Sequence, residues 1–548
     1  MDLKEFQKRV CYQIYPASFK DSNNDGRGDL NGIISKLDYL HNLGIGMIWL
    51  SPIYSSPMDD MGYDISDYKA INPLFGTMED FECLIKEAKK RDILIVMDLV
   101  INHTSTEHEW FKKALSGEEN NKYRDYYFIK RGKKAHKKPN NWQATFTGSA
   151  WIEAKGLPGY YYMHLFCDTQ ADLNYKNENV IKEIEDVIRF WLDKGVYGFR
   201  CDVINHIYKT SLKDDHSHFL INKGSKYYLN QEGMYTVLTR IRTEVLDNYD
   251  TFLVGETGNI TPKIGQRLIK ERCLDTFFEF EHPNAYRGIL PIFKKKFNPK
   301  QFMNLIMKWQ HSLPWMANYL ENHDQLRSIN MYGNADKYYL ESGKLLATLL
   351  LTLKGTPFIY QGEEIGMLNN DNLRLSETND ICAHMVFKTA KRILKFYSDE
   401  KLDELIANSI NRDQARSPFQ WSDEVNAGFN EGAKTWIPIH NDYEKINANC
   451  SVFESNSIFN YYKKLIEIRK NNLPLLLGEI KEEVISKSLV VYSRYQENEK
   501  FLIVLNFSDK TIKYKNKNNL QLVISNYSNE ISFDNLPPYF AGIYKVNE

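Results

Sequence analysis

No stretch of this 548-residue chain is apolar for the ~18 residues that a membrane span needs, and its opening MDLKEFQKRV lacks the apolar run of a secretory signal. Charge of one sign is absent too: 70 Lys and Arg stand against 71 Asp and Glu, a formal net charge of −1. Without a basic field, nothing in the charge recruits nucleic acid or an anionic membrane. Cysteine is scarce, seven residues in odd number and without CxxC spacing, which argues against a disulfide framework or a zinc site. The expectation is a cytoplasmic protein with reduced, mostly buried thiols and no nucleic-acid or membrane partner, monomeric or weakly oligomeric. No low-complexity segment interrupts a composition that is 43% apolar and 26% charged, as in an ordinary globular protein. Aromatics, at 13%, are plentiful. They suit stacking on sugar rings, although packing accounts for most single rings.

Eight short apolar, β-branched runs follow one another: VCYQIYP (10–16), IGMIWLSP (45–52), ILIVMDLV (93–100), VYGFRCDV (196–203), TFLVGE (251–256), LDTFFEF (274–280), WMANYLEN (315–322) and TPFIYQG (356–362). Most precede a helical stretch. In TMEDFECLIKEAKK, Phe81, Leu84, Ile85 and Ala88 recur at helical spacing behind a Thr77–Asp80 capping signal. Near-continuous apolar strands alternating with amphipathic helices specify a parallel sheet covered on both faces, and eight such units specify an α/β fold, a (β/α)8 TIM barrel. The barrel is assigned to 1–103 and 175–475. Residues 104–174, rich in Trp, Tyr, Asn, Gly and Lys, are too long for a plain loop and are assigned to a small inserted domain after the third strand. Beyond 476 the chain turns to the runs SLVVYSRY, KFLIVLNF, TIKYK, LQLVISNY and YFAGIYKV, the pattern of a C-terminal antiparallel β-sandwich over 476–548.

Barrel chemistry sits at the C-terminal ends of strands. The acids there are Asp98, Asp202, Glu256 and Asp324, with Arg200 two residues before Asp202 and His103 and His323 close by. A single acid at a strand end is usually a cap or a solvated loop residue. Four around one rim are a cost that folds keep for chemistry. Glycoside hydrolysis needs such a set: a carboxylate to attack the anomeric carbon, a protonated acid to release the leaving oxygen, and polar groups to hold the distorted sugar. Asp202 and Glu256, on neighbouring strands, can stand at the ~5–5.5 Å of a retaining pair. Neighbouring negative charge is expected to raise the Glu256 pKa, and Arg200 to keep Asp202 ionised.

At these residues the sequence resembles the α-amylase family of glycoside hydrolases, and within it the oligo-1,6-glucosidase, dextran glucosidase and α-glucosidase branch. The strings that carry the resemblance are DLVINHTS (98–105), GFRCDVIN (198–205), FLVGET (252–257), ENHDQ (321–325), QADLN (170–174), MGYDISDY (61–68), YQGEEIGM (360–367) and RDQARSPFQW (412–421). The resemblance implies Asp202 as nucleophile, Glu256 as acid/base and Asp324 as a third carboxylate that holds sugar hydroxyls. It implies that Tyr63, His103, Gln170, Arg200 and His323 line the subsite of the non-reducing glucose, with Phe146 and Phe166 as aromatic walls. It also implies that Asp60, with Arg412 or Arg416, closes that pocket, which makes the action exo. Val203, next to the nucleophile, goes with α-1,6 cleavage in this branch, where Ala or Thr goes with α-1,4. Three positions depart from the pattern: Cys201 for a larger apolar residue, Met61 for Asn, and the string GETGNITP after the acid. The last two leave the exact substrate open.

In DSNNDGRGD (21–29), Asp21, Asn23, Asp25 and Asp29 alternate around Gly26 and the Arg27 carbonyl, the first half of an EF-hand-like oxygen cage. Gly32 stands where an EF-hand has Glu, so a calcium switch is not expected. The resemblance implies a structural Ca2+ or Mg2+ here, and no organic cofactor is expected. The basic run KRGKKAHKKP (130–139) reads first as a solvated loop and second as a phosphate contact. The expected activity is hydrolysis of short α-glucosides such as isomaltose and isomalto-oligosaccharides. Trehalose-6-phosphate hydrolase, α-1,4-glucosidase and sucrose isomerase are the alternatives that keep the same acids. A catalytically dead binding module is the outsider, because Asp202, Glu256 and Asp324 are all present.

Overall fold

The computed structural model describes residues 4–547 apart from 117–120, 135–136, 147, 218–221, 287, 289–291, 372, 517–518 and 530. All eight expected runs hold a strand: β1 Cys11–Ile14, β2 Met47–Leu50, β3 Leu94–Leu99, β4 Gly198–Cys201, β5 Phe252–Glu256, β6 Thr276–Phe278, β7 Ala317–Asn318 and β8 Thr356–Tyr360. They form one parallel sheet in the order β6-β5-β4-β3-β2-β1-β8-β7. No ladder joins β6 to β7 among the described residues. The barrel closes there through side chains: Thr276 Oγ1 donates to the Trp315 carbonyl at 3.2 Å, and Phe278 meets Tyr319 edge to face at 5.3 Å.

The apolar runs are continuous because each strand is buried on both sides, yet the period of two survives. Met47, Trp49, Val96, Phe252, Val254 and Phe358 pack together in the barrel interior. Their neighbours Ile48, Leu50, Ile95, Met97, Leu253 and Ile359 belong to the main core shared with the surrounding helices. Gly198 opens β4 where a Cβ would stand 2.1 Å from the Phe252 carbonyl, so β4 and β5 approach at a point where no side chain fits.

Helix α1, Met78–Lys90, starts at the expected capping box, with Thr77 Oγ1 accepting from the Asp80 amide and Asp80 accepting from the Thr77 amide. Helix α2, Glu178–Asp193, buries Val180, Ile184, Val187, Ile188 and Trp191 on one face. Between β3 and α2 lies a three-stranded antiparallel sheet, 129–131, 151–153 and 160–163, around Phe128, Trp142, Trp151 and Tyr161. The chain rejoins the barrel where Gln170–Asp172 pairs antiparallel with His103–Ser105.

After β8 comes a lobe the sequence pattern did not announce, helices α3 Ile381–Ile393 and α4 Asp399–Ala407, packed around Ile292, Leu375, Ala383 and Ile406. Helix α5, Ile458–Asn471, leads to the C-terminal domain. Its strands β9 Glu479–Ile485, β10 Leu489–Gln496, β11 Glu499–Asn506, β12 Asn519–Ser525 and β13 Ala541–Asn547 form one antiparallel sheet, order β9-β10-β11-β13-β12. Val490, Tyr492, Ile503 and Leu505 face the barrel, and Val491, Leu502 and Val504 face a second layer with Leu536 and Phe540. That layer comes from the segments flanking β12, with Ile512 and Tyr514 before it and Tyr527, Phe533, Leu536 and Phe540 after it, and among the described residues it forms no second sheet. The expected strand TIKYK makes only the isolated pairing Ile512–Leu536, and β9 lies outside the runs marked in the sequence. All seven cysteines are free, four of them buried.

Two buried arginines hold the seam between barrel and C-terminal sheet. Arg469 donates to the carbonyls of Leu351, Leu353 and Leu475 at 2.8, 3.0 and 2.9 Å, and Arg494 to those of Thr352 and Gly478 at 2.5 and 2.8 Å. Arg494→Met keeps the length and removes the donors. It should lower stability by about 3 kcal/mol, since two buried carbonyls lose a charged partner. Urea midpoints of wild type and variant read this directly, and equal midpoints at equal m-values would show the seam to be held elsewhere.

Candidate active site

Four strand ends deliver the charged groups. Asp98 is the penultimate residue of β3, Arg200 lies on β4, Asp202 follows β4, Glu256 is the last residue of β5, and Asp324 stands in the loop after β7. Arg200, 2% exposed, holds three of the acids at once. Its Nη1 is 2.7 Å from both Asp98 Oδ1 and Asp202 Oδ1, and its Nη2 is 2.8 Å from Glu256 Oε2. One positive charge against three buried carboxyls cannot ionise all of them. Burial pushes the Asp98 and Asp202 carboxyls above the ordinary range even though Arg200 opposes it. Burial also pushes Glu256 up to about 8, against Arg200 and with help from Asp202 and Asp324. Burial is thus the larger cause for Glu256, ahead of the neighbouring charge expected from the sequence, and for Asp202 it outweighs Arg200.

The turn between the two acids is strained. The Asp202 amide still extends the strand ladder to the Leu99 carbonyl at 3.0 Å, and Val203 then reverses the chain with φ 36° and ψ 40°. A β-branched residue in the left-handed region costs of order 1–3 kcal/mol and persists only where its surroundings impose it. Here the strained geometry aims the Val203 amide at Glu256 Oε2, 3.0 Å away. With Arg200 and this amide both on Oε2, the proton of a neutral Glu256 belongs on Oε1. By the same reasoning Asp202 Oδ2 is the oxygen that Arg200 leaves uncovered.

Asp324 has the opposite electrostatics. Arg412 Nη1 and Arg416 Nη2 both reach its Oδ1, at 3.0 and 2.9 Å. Burial works against ionisation, but the adjacent His323 imidazole, 3.3 Å from Oδ2, and the two guanidinium charges of Arg412 and Arg416 hold its carboxyl well below the usual range. His323 itself, fully buried, is pushed down to about 3 and is neutral. Its Nδ1 accepts from Gln13 Nε2 at 2.7 Å, which leaves Nε2 to face the Tyr63 hydroxyl at 2.7 Å. Tyr63 stacks on that imidazole, centroids 5.4 Å apart and planes 3° off parallel, and donates to Asp98 Oδ2 at 3.1 Å.

Most of the residues singled out in the sequence line one cavity of about 410 Å3. On its wall stand Asp202, Glu256 and Asp324, together with Asp60, Tyr63, His103 and Gln170. Phe146, Phe166, Val203 and Arg412 complete the expected set. Arg200, His323 and Arg416 are the exceptions. They sit behind the wall, positioning Asp202, Tyr63 and Asp324 without lining the space. Of the two arginines weighed for Asp60, the structure brings up Arg412, whose Nη2 is 3.5 Å from Asp60 Oδ1. Arg416 is tied instead to the His323 carbonyl at 2.7 Å and to Asp413 at 3.4 Å. Gln170 Nε2 donates to Asp60 Oδ2 at 3.0 Å, and burial raises the Asp60 pKa against the pull of Arg412. His103, pushed down to about 4 by burial, gives its Nε2 to the Tyr63 carbonyl at 3.0 Å.

Thr145, Phe280, Asn284, Gln325, Cys382, Val386 and Ile410 also line the cavity, and sequence reasoning had passed over them. Phe280 and Asn284 follow β6, where the strand-end rule could have found them. Cys382 and Val386 lie four apart on α3, a face visible as a helical stripe once the lobe is recognised. A larger crevice, about 580 Å3 between the Lys296–Pro299 segment and the C-terminal sheet, holds no group of converging acids. Volume alone does not mark the site.

Asp21 accepts from the amides of Asn24 and Gly26 at 2.7 and 2.8 Å, and Asp25 from that of Arg27 at 2.9 Å. Asp29 accepts from the Gly32 amide at 2.7 Å as the N-cap of the helix Leu30–Ser35. The loop lies apart from the cavity and docks on 429–436, the Trp436 amide meeting the Gly26 carbonyl at 3.0 Å.

A family model described as the alpha amylase catalytic domain matches residues 13–478. The oligo-1,6-glucosidase of Parageobacillus thermoglucosidasius is 42% identical over 569 residues, 99% of each chain. The trehalose-6-phosphate hydrolase of Bacillus subtilis (strain 168) is 40% identical over 516 residues, 92% of this chain and 89% of that one. Among solved structures, the isomaltulose synthase from Klebsiella sp. LX3 superposes with a TM-score of 0.95 at 35% identity, covering 100% of both chains.

Proposed function

This chain belongs to the α-amylase family of glycoside hydrolases, and we propose that within it the chain is a retaining, exo-acting α-glucosidase of short neutral oligosaccharides, with α-1,6 bonds its preferred target. One observation carries the reading: Asp202, Glu256 and Asp324 face a single cavity that the Asp60–Arg412 contact crosses. A pocket blocked in this way takes one terminal glucose.

Asp202 Oδ2 attacks the anomeric carbon while Glu256 gives its Oε1 proton to the departing glycosidic oxygen. The carbon–oxygen bond to the aglycone breaks as the ester to Asp202 forms. Water then attacks the same carbon, Glu256 takes its proton, and Asp202 leaves as the carboxylate, so two inversions retain the α configuration. Asp324, held ionised, binds hydroxyls of the distorted sugar.

The cavity also speaks to the aglycone. Among the described residues lining it, Arg412 is the one cation, and Asp60, Asp324 and Asp380 already surround it. No unpaired cation awaits a phosphate there. The described residues of the basic run do not line the cavity, and Lys133 pairs with Asp214; Ala135 and His136 lie outside the described residues. A neutral glucoside is therefore favoured over trehalose-6-phosphate, although a trehalose-6-phosphate hydrolase is among the relatives.

The nucleophile and acid are tested together. Asp202→Asn should lower kcat by several orders of magnitude in a folded protein, and the first glucose released by wild type should be the α anomer by proton NMR. Activity needs Asp202 ionised and Glu256 protonated. It is lost as falling pH protonates the nucleophile and as rising pH ionises the acid near pH 8. The profile of kcat/KM should be a bell whose acid limb lies above the ordinary carboxylate range. Initial β-glucose, or an alkaline limb that persists in Glu256→Gln, sinks the assignment.

Linkage rests on Val203, whose side chain lines the cavity beside Glu256. An α-1,6 link inserts a rotatable CH2 that swings the second ring away, and a compact apolar contact can favour that pose. Wild type should prefer isomaltose to maltose. Val203→Ala should shift the ratio of kcat/KM by roughly 10–200-fold at most without abolishing activity. Ala tolerates the left-handed turn better than Val, so a lost fold would not mask the shift. A panel of isomaltose, panose, maltose, sucrose and trehalose-6-phosphate decides, and a wild type that prefers maltose ends the α-1,6 reading.

The loop Asp21–Asp29 would hold a structural Ca2+ or Mg2+. Asp21, Asn23, Asp25, Asp29 and the Arg27 carbonyl are all hard oxygen donors, and the buried Asp21 carboxylate has amides but no cationic side chain on it. Among the described residues no three His, Cys, Asp or Glu stand close enough to hold a metal alone, so the Asn23 and Arg27 oxygens would complete the set. The ion would stiffen this loop against 429–436 and take no part in the chemistry. Chelation should lower Tm and added Ca2+ should restore it, with both responses absent in Asp21→Ala/Asp25→Ala. Identical melting of wild type with and without chelator leaves the loop an empty turn.

A further inference from the structure

Arg412 has three acid neighbours, and the one that holds it hardest is outside the cavity. Asp380, fully buried, accepts at Oδ1 from Arg412 Nε and Nη2 at 3.0 and 2.7 Å, and at Oδ2 from the Arg412 backbone amide at 2.9 Å. The contact of Arg412 with Asp324 is 3.0 Å, and the one that crosses the pocket to Asp60 is the longest, at 3.5 Å. The segment around Asp380 extends the clamp. Thr378 Oγ1 lies 2.7 Å from Asp413 Oδ2 and 2.9 Å from Asn411 Oδ1, with one proton to donate between them, and the Asn379 amide reaches Asp413 Oδ2 at 2.7 Å. Residues 378–380 thus grip 411–413 from both sides of the guanidinium.

Asp380 is also the N-cap of α3, its Oδ1 accepting from the Cys382 amide at 3.0 Å. Cys382 and Val386 of that helix line the cavity. One carboxylate therefore fixes both the arginine that crosses the pocket and the helix that walls it. We infer that Asp380 is a positioning residue that holds Arg412 across the closed end of the glucose pocket and so sets the selection of a terminal sugar. This rests on the exo-glucosidase reading above. An arginine released from Asp380 keeps two partners, Asp324 beside it and the distant Asp60, and collapses onto Asp324. The far wall of the pocket opens, and binding suffers before chemistry does.

The experiment is a double-mutant cycle with Asp380→Asn and Arg412→Met on the best disaccharide substrate. Asn retains the cap and Arg412 keeps Asp324, so the variant should fold, with a Tm lowered by the loss of one buried charge. Asp380→Ser, which also caps, serves if the Asn variant fails to fold. Expected is a KM raised about tenfold or more with kcat little changed, and no further loss when Asp380→Asn is added to Arg412→Met. Multiplying losses, or an unchanged KM, overturn the inference. A crystal structure of Asp380→Asn reads the positioning without any turnover: Arg412 should have left Asp60, and an unmoved guanidinium overturns the inference again. A wild type that cleaves no α-glucoside while Arg412 moves as expected would fault the functional reading and spare this one.

Discussion

The Arg200 guanidinium is the constraint on which the site depends. It lies in the barrel mouth against Trp49 and Tyr63, 5.1 and 5.8 Å from their centroids, and touches Asp98, Asp202 and Glu256. Removing one partner of a buried charge cluster costs several kcal/mol because the remaining charges stay desolvated. The three acids therefore could not share this mouth without the arginine. With it, the cluster carries one positive charge among three groups of raised pKa, and protons must be shared. Sharing is what an acid and a nucleophile side by side require. Neither needs to sit at an extreme, and once Asp202 is esterified its charge no longer helps to hold the Glu256 proton, which goes to the departing oxygen.

Geometry delivers that charge only because of the turn at Val203. A regular strand would carry the chain on past Asp202 and point the next amide at the ladder. The left-handed turn ends β4 at the nucleophile and sends the amide to Glu256 Oε2 instead. The strain is local and its yield is orientation: Arg200 holds Asp202 Oδ1, Arg200 and the Val203 amide hold Glu256 Oε2, and the two carboxyls stand within hydrogen-bond reach of each other. The barrel bears the cost easily, since alternate residues of its strands fill an interior and an outer core at the same time.

The sequence was legible where burial is two-sided. Strands covered on both faces must be continuously apolar, so all eight could be marked, and the rule that chemistry gathers at strand ends found Asp98, Asp202 and Glu256 unaided. It was illegible where a contact depends on distance between remote segments. Nothing in the order of residues separates Arg412 from Arg416 as the partner of Asp60, because both lie in one short loop and differ only in which wall they face. Asp380 looked like any acid before a helix. The α3–α4 lobe exposes Ile393 and leaves Val386 half-buried, so its apolar stripe is faint. In the C-terminal domain TIKYK alternates as a strand would, but it lies over the sheet, where its backbone finds Leu536 and Phe533 and no neighbouring strand. Alternation reports a covered face and says nothing about what covers it.

Two layers of arginine then divide the work by depth. Arg200 at the floor is shared among three acids and leaves them above the ordinary carboxylate range. Arg412 and Arg416 on the side wall, each with further acid partners, both reach Oδ1 of Asp324 and take it far below. The difference follows from how many cations face each carboxyl more than from burial, since burial raises all four. One cation shared by three carboxyls keeps protons in the site, and two cations on one oxygen of Asp324 expel them there. A sugar entering this pocket meets a floor that can exchange a proton and a wall that cannot. Hydrogen bonds to its hydroxyls from a permanently ionised Asp324 therefore do not compete with the proton transfer on which the bond cleavage turns.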